Sequence, residues 1–200
     1  MKIKKVCVYC ASSDLSDRSY LEAAKELGEI LAGESIEIVY GGGSAGSMGK
    51  LAEGALSKGG NVTGIIPQFM YNLEWGHEGL TELKIVETMN ERKEQMVIDT
   101  DAAIALPGGS GTFEELFDTL TMKRLGQYLS PIIFVNINNF FDPCIELLDR
   151  SIEEKFMDER SRNMWSVVTT PSEVINAILN SPEWSKDSLR FAALRSNKKP

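Results

Sequence analysis

Ala102-Ala103-Ile104-Ala105-Leu106-Pro107-Gly108-Gly109-Ser110-Gly111-Thr112-Phe113-Glu114-Glu115 decides the fold. Ala102 to Leu106 is an unbroken apolar run, the pattern of a strand buried on both faces. Pro107, Gly108 and Gly109 stop it, and Thr112 to Leu125 reads as a helix. The same alternation extends in both directions. Upstream, Val6–Tyr9, Ile36–Tyr40, Val62–Ile66 and Leu83–Val86 read as strands. Tyr20–Leu31, Met48–Lys58 (with Ser47 as its N-cap) and Glu91–Asp99 read as helices. Gln68–Gly79 is irregular and holds the chain's single histidine, His77. Downstream follow a strand at Pro131–Val135 and helices at Pro143–Lys155 and Ser172–Leu179.

Strand–helix alternation of this kind implies an α/β fold, a doubly wound Rossmann-like parallel sheet with helices on both faces. In such sheets ligands bind beyond the carboxyl ends of the strands, where both glycine clusters of this chain fall. Residues 1–182 form the expected single domain. Residues 183–200 form a C-terminal tail, polar to basic from Ser185 on and expected to fray.

Composition narrows the function. The chain has 200 residues, enough for one compact domain with a sizeable core. Acidic residues outnumber basic ones, 29 to 21, for a net charge of -8, which argues against a nucleic-acid partner. A small anion remains compatible, because a few local donors suffice to hold a phosphate. No apolar run is long enough to span a membrane. The opening Met1-Lys2-Ile3-Lys4-Lys5 could begin a secretion signal. The apolar stretch after it is short, strand-like and meets Ser12, Ser13 and Asp14 at once. Cys7, Cys10 and Cys144 are odd in number and form no disulfide framework, so a cytoplasmic protein is expected.

Two glycine clusters and one basic pair are the candidates for chemistry. Gly41, Gly43 and Gly46 spell a formal G-x-G-x-x-G after a strand and before a helix. The acidic residue expected about 20 positions on is absent, since that region reads Val62-Thr63-Gly64-Ile65-Ile66, and dinucleotide binding fails on this point. Gly49-Lys50 is no P-loop, because Leu51 stands where a hydroxyl is needed. A tight turn with close helix packing accounts for some of these glycines. The second cluster, Gly108 to Gly111, turns backbone N–H groups toward one point, and the helix that follows adds its positive end. That is an anion cradle suited to phosphate, with Thr112 offering a hydroxyl. Glu115 has two readings: Thr112-x-x-Glu115 matches a capping box, while a carboxylate beside a phosphate cradle suggests catalysis. Arg92 and Lys93 follow Thr88-x-x-Glu91, itself a capping box. They are either a solvated helix face or a pair for an anion or a base. One histidine and scattered cysteines make no zinc site, and no nucleophile elbow accompanies His77.

Together these residues resemble the LOG ("Lonely guy") family, the cytokinin riboside 5′-monophosphate phosphoribohydrolases. P-G-G-x-G-T-x-x-E is intact from Pro107 to Glu115, G-G-G-x-x-G-x-M-G from Gly41 to Gly49, and C-x-S-S at Cys10-Ala11-Ser12-Ser13. The resemblance runs from Lys5 to about Val168. Proteins of this kind often carry an older "lysine decarboxylase" label, for which no pyridoxal-phosphate lysine context is recognisable here. The resemblance implies a hydrolase that cleaves the N-glycosidic bond of AMP or an N6-substituted AMP, releasing base and ribose 5-phosphate. It implies Arg92 and Glu115 as the catalytic pair. Substrate contacts would come from Glu74, Lys93, Gly108, Gly109, Ser110, Gly111, Thr112, Glu114 and Thr121, with Gly42, Gly43 and Ser12 from the other two patterns. It implies a homodimer with sites near the interface, and no metal or other cofactor. Asn90 stands where the family's M-H-x-R-K has histidine, and Ser110 where its loop has tyrosine. The chemistry expected by analogy with glycosidases has Glu115 stabilising an oxocarbenium-like sugar or activating water, while Arg92 relieves charge on the departing base. The alternative is a non-catalytic carrier of a phosphorylated cofactor of the molybdopterin type, on a related fold.

Overall fold

A computed structural model describes residues 2–73, 75–192 and 194. Its centre is one sheet of seven parallel strands: β1 (Lys5–Tyr9), β2 (Glu37–Tyr40), β3 (Val62–Pro67), β4 (Glu82–Val86), β5 (Ala102–Ala105), β6 (Ile132–Val135) and β7 (Ser166–Val168). Their order across the sheet is β4-β3-β2-β1-β5-β6-β7. The chain therefore winds outward from β1 to one edge, returns beside β1 at β5, and winds to the other edge. The helices are α1 (Arg18–Gly33), α2 (Gly46–Ser57), α3 (Gln68–Tyr71), α4 (Met89–Val97), α5 (Ser110–Arg124), α6 (Asp142–Glu153) and α7 (Val174–Asn180).

Alternate strand residues face opposite sides, so β1 feeds two cores. Val6 and Val8 join Leu27, Leu31, Ile38 and Leu51 on one side. Cys7 and Tyr9 join Val39, Met96, Leu116 and Leu120 on the other. Register places Tyr9 opposite Ala105, at the carboxyl ends of two central neighbours. This is the doubly wound Rossmann-like arrangement expected from the strand–helix alternation.

Four local features differ from the sequence reading. Ser47 is not the cap of α2: the helix begins at Gly46, Ala45 occupies the cap position, and Ser47 is buried in the first turn. The cap comes from the loop after β1, where Asp14 Oδ1 accepts from the Gly46 N–H at 2.6 Å. That bond joins residues 32 apart, which no local motif announces. Within irregular Gln68–Gly79 the short helix α3 forms. Strand β7 has only three residues at a sheet edge, too few for an alternation to be read. Finally, the chain from Ser185 does not fray as far as Ala192. Trp184 Nε1 donates to the Lys123 carbonyl at 2.7 Å, Arg124 Nη2 donates to the Ala192 carbonyl, and the Phe191 ring lies 3.7 Å beneath the Arg160 guanidinium. Two aromatic anchors outweigh the polar composition around them.

Candidate active site

The strand order reverses between β1 and β5, and doubly wound sheets open a crevice at such a point. A cleft of about 620 Å³ lies there. Its walls come from Cys10–Ser13 after β1, from Gly41 and Gly43–Ala45 after β2, and from Gly109–Thr112 at the start of α5. Met48, Ile66, Met70, Trp75 and Met89 add an apolar side, and Arg92 and Glu115 complete the lining.

Arg92 reaches the cleft from the first half of α4. Thr88 caps that helix, its Oγ1 accepting from the Glu91 N–H at 3.1 Å, and Glu91 Oε2 accepts from the Glu87 N–H at 3.0 Å. Glu91 is thus structural, as Thr88-x-x-Glu91 suggests. Arg92 is 5% exposed, not part of a solvated helix face. Nε donates to the Ile65 carbonyl at 3.0 Å, Nη2 to the Gly41 carbonyl at 3.5 Å, and Nη1 to Glu115 Oε1 at 2.6 Å. Two strand ends and a helix therefore fix the plane of the guanidinium. The seat requires Gly41, since a Cβ there would stand 2.1 Å from Arg92 Nη2.

Glu115 is not a cap. Helix α5 begins at Ser110 with Gly109 in the cap position, so Glu115 lies in the second turn, beyond reach of the cap amide. Its side chain is 5% exposed and faces Arg92. Burial pushes the Glu115 carboxyl above the ordinary carboxylate value, while the Arg92 guanidinium pulls it back. Among the described residues no donor reaches Oε2.

The two glycine-rich helix starts differ in what their amides meet. In α2, the Gly46 N–H is taken by Asp14 and the Met48 N–H by the Ala11 carbonyl at 3.0 Å. In α5, no side chain caps the helix and no acid stands in its first turn. Among the described residues, the N–H groups of Ser110, Gly111 and Thr112 donate to no protein acceptor, and the first one engaged is Phe113, on the Gly109 carbonyl. These free amides sit at the positive end of the helix and make an anion seat. Nothing in the protein demands glycine at Gly109 or Gly111: a Cβ at either meets no atom within 4 Å, and neither φ is positive. The space their missing side chains leave belongs to the cleft.

Of the residues picked from sequence, Ser12, Gly43, Arg92, Gly109, Ser110, Gly111, Thr112 and Glu115 meet in this cleft. Gly42 and Gly108 are not among the lining residues; Gly42 has φ +76°, and a Cβ on Gly108 would press on Thr112. Lys93 lies outside the lining with Glu114, its ammonium 3.0 Å from Glu114 Oε1 and 3.7 Å from Asp118 Oδ2. Glu114 raises the Lys93 ammonium above its ordinary value. Thr121 is exposed, and its hydroxyl donates to the Phe117 carbonyl. Glu74 lies outside the described residues. Sequence reasoning missed the apolar side. Trp75 and its neighbours are brought in by non-local bonds: Ser44 N–H to the Trp75 carbonyl at 3.1 Å and His77 N–H to the Gly42 carbonyl at 2.9 Å.

Fold and site define a Rossmann-like α/β protein whose switch-point cleft pairs an anion seat with a buried arginine–glutamate couple. A family model described as "Possible lysine decarboxylase" matches residues 48–178. The chain is 36% identical over 186 residues to the rice (Oryza sativa subsp. japonica) probable cytokinin riboside 5′-monophosphate phosphoribohydrolase LOGL2, covering 92% of this chain and 76% of that protein. It is 38% identical over 171 residues to the Arabidopsis thaliana cytokinin riboside 5′-monophosphate phosphoribohydrolase LOG1, covering 86% and 79%. The chain belongs to this LOG family. Solved structures with the same fold include the molybdenum cofactor carrier protein of Chlamydomonas reinhardtii, with TM-score 0.67 and 19% identity over 88% of this chain and 96% of that one. The molybdenum cofactor binding protein of Rippkaea orientalis has TM-score 0.65 and 21% identity, covering 90% and 97%. Identities this low speak for the fold alone.

Proposed function

We propose that this protein hydrolyses the N-glycosidic bond of a nucleoside 5′-monophosphate, AMP or an N6-substituted AMP, to free base and ribose 5-phosphate. The observation that carries the reading is that the buried Arg92–Glu115 pair and the free amides of Ser110 to Thr112 line one cleft. The names of the LOG relatives point to the same chemistry. The amides hold the 5′-phosphate, and that binding energy orients the sugar over Glu115. As the bond from C1′ to the base nitrogen lengthens, the sugar becomes oxocarbenium-like, and the free Oε2 edge of Glu115 stabilises it or takes a proton from the attacking water. The departing base takes the electron pair of the broken bond and then a proton derived from water. Arg92 relieves the charge by hydrogen bonding. It does not act as the acid, because guanidinium holds its proton too tightly. The Met48, Ile66, Met70, Trp75 and Met89 side suits a planar base, including one with an apolar substituent.

The carrier alternative rests on fold likeness alone, and a buried arginine–glutamate couple adds nothing to carrying. We also infer a cytoplasmic homodimer, with Lys93, Glu114 and Thr121 meeting substrate only in the assembly, since they lie outside the single-chain cleft. No helix among the described residues is long and apolar enough to cross a membrane. The test is release of free base from AMP and from adenosine. AMP should be cleaved and adenosine should be much poorer. Equal rates would remove the anion seat from the reaction, and absence of base from any nucleoside monophosphate would overturn the reading.

A further inference from the structure

Helix α5 carries both the anion seat and Glu115, and beside its apolar contacts through Leu116 and Leu120 it buries a run of polar side chains. Its buried residues are Thr112, Glu115, Leu116, Thr119, Leu120 and Lys123, four of them polar. Thr112, Glu115, Thr119 and Lys123 follow one another at three- and four-residue steps, which puts them on one stripe. Three of them have, among the described residues, one directional side-chain bond beyond the helix. Glu115 meets Arg92, Thr119 Oγ1 lies 2.7 Å from the Tyr9 hydroxyl, and Lys123 Nζ donates to the Ser130 carbonyl at 2.6 Å.

The middle bond has a direction. Thr119 Oγ1 donates its one proton to the Glu115 carbonyl at 3.0 Å. The bond to Tyr9 must therefore run from the tyrosine O–H to Thr119. Tyr9 is 2% exposed and ends β1, the central strand. The relay runs from strand to Thr119 hydroxyl to the backbone of the catalytic carboxylate's own residue. Apolar contacts tolerate small rotations of a helix, whereas a hydrogen bond weakens steeply off its axis.

We infer that Tyr9 is a positioning residue: through Thr119 it fixes the rotation of α5, and so the place of the Glu115 carboxylate beside Arg92. The inference rests on the catalytic reading of Glu115. Rotation separates the two jobs of the helix. A carboxylate about 5–6 Å from the axis moves about 1 Å for a 10° turn, while the amides near the axis move far less. Loss of the Tyr9 bond should lower turnover and leave phosphate binding nearly alone.

Tyr9→Phe is the clean variant, since Thr119 keeps its own bond to the Glu115 carbonyl. Steady-state kinetics on AMP should show kcat reduced about three- to tenfold, with KM within about twofold of the parent. Thr119→Val should match it, the double variant should lose no more than either single one, and Thr119→Ser should restore kcat. Should Tyr9→Phe fold poorly, the Thr119 series alone decides. Unchanged kcat in Tyr9→Phe or Thr119→Val, a rise in KM at constant kcat, or equal losses in Thr119→Val and Thr119→Ser would each overturn the inference. Glu115→Gln is assayed beside them. If it keeps full activity, the catalytic reading has failed; if it is inactive while Tyr9→Phe is normal, only the positioning role has failed.

Discussion

Glu115→Gln separates catalysis from structure, because the geometry sets what each role would lose. The side chain is 5% exposed and its Oε1 lies 2.6 Å from Arg92 Nη1. A buried charge-assisted bond of this kind contributes about 1.5–3 kcal/mol. Against that stands the cost of keeping a carboxylate out of water, and the upward displacement of the Glu115 carboxyl shows that burial outweighs the guanidinium. Glutamine keeps an acceptor for Arg92 and removes the buried negative charge, so the two effects nearly cancel. The melting temperature should stay within about 4 °C, which for a chain of this size corresponds to about 1 kcal/mol. Glu115→Ala is the wrong probe, since it strands a buried guanidinium at about 3–5 kcal/mol. Turnover should behave differently: removing the charge at the oxocarbenium carbon, or the base for water, costs about 10²-fold or more. The assay pairs a melting curve with single-turnover release of base from AMP. A raised carboxylate favours the folded state most below its ordinary value, and this contribution is lost as pH rises through the raised value. That decline should be absent from Glu115→Gln. Near-normal turnover in the folded variant would refute the catalytic assignment.

Gly111→Ala should leave stability unchanged or raise it by up to about 1 kcal/mol, because a Cβ there has free space. The same change should weaken binding of AMP and of inorganic phosphate, and calorimetry showing unaltered affinity would count against the anion seat. Gly41→Ala puts a methyl 2.1 Å from Arg92 Nη2 and should cost about 1–3 kcal/mol and at least about tenfold in turnover. A variant as stable and active as the parent would show that the guanidinium does not need that seat. Burial pulls the Lys123 ammonium down to about 8 from 10.5. The neutral form is therefore favoured by folding, and stability should rise between about pH 8 and 10.5. Lys123→Met should abolish that rise and stabilise the protein at pH 7 by up to about 3 kcal/mol; denaturant melts across this range check both.

The sheet was legible because its central strands are short apolar runs, and β3, β5 and β6 are buried on both faces. Val6–Tyr9 and Ala102–Leu106 needed no long-range information. What the sequence hid was non-local. The cap of α2 is Asp14, not Ser47, because a side chain 32 residues away outcompetes a local one. Glu115 matched a capping box, but α5 starts two residues before Thr112, and a local pattern could not say where the helix begins. Lys93 stands beside Arg92 in sequence, yet successive helix positions diverge by about 100°, so only one of the two enters the cleft. The apolar side stayed hidden because Met48, Met70, Trp75 and Met89 come from separate segments and share no motif.

The polar stripe of α5 ties these observations together. Three of its members exchange stability for geometry: a carboxylate raised by burial, a threonine hydroxyl locked to a buried tyrosine, and an ammonium that, among the described residues, meets a carbonyl. Leucines at Thr119 and Lys123 would bury more apolar area and hold the helix more strongly. They would fix its rotation less sharply, because apolar contacts lack the directionality of a hydrogen bond. In the proposed reaction Glu115 needs that rotation fixed, since its carboxylate meets Arg92 on one side and leaves an edge open to the cleft on the other. The anion seat needs only that the helix end point at the ligand. A helix that merely bound phosphate would have no use for such a stripe. The stripe lies under the carboxylate, and its energetic cost fits the reaction proposed at Glu115.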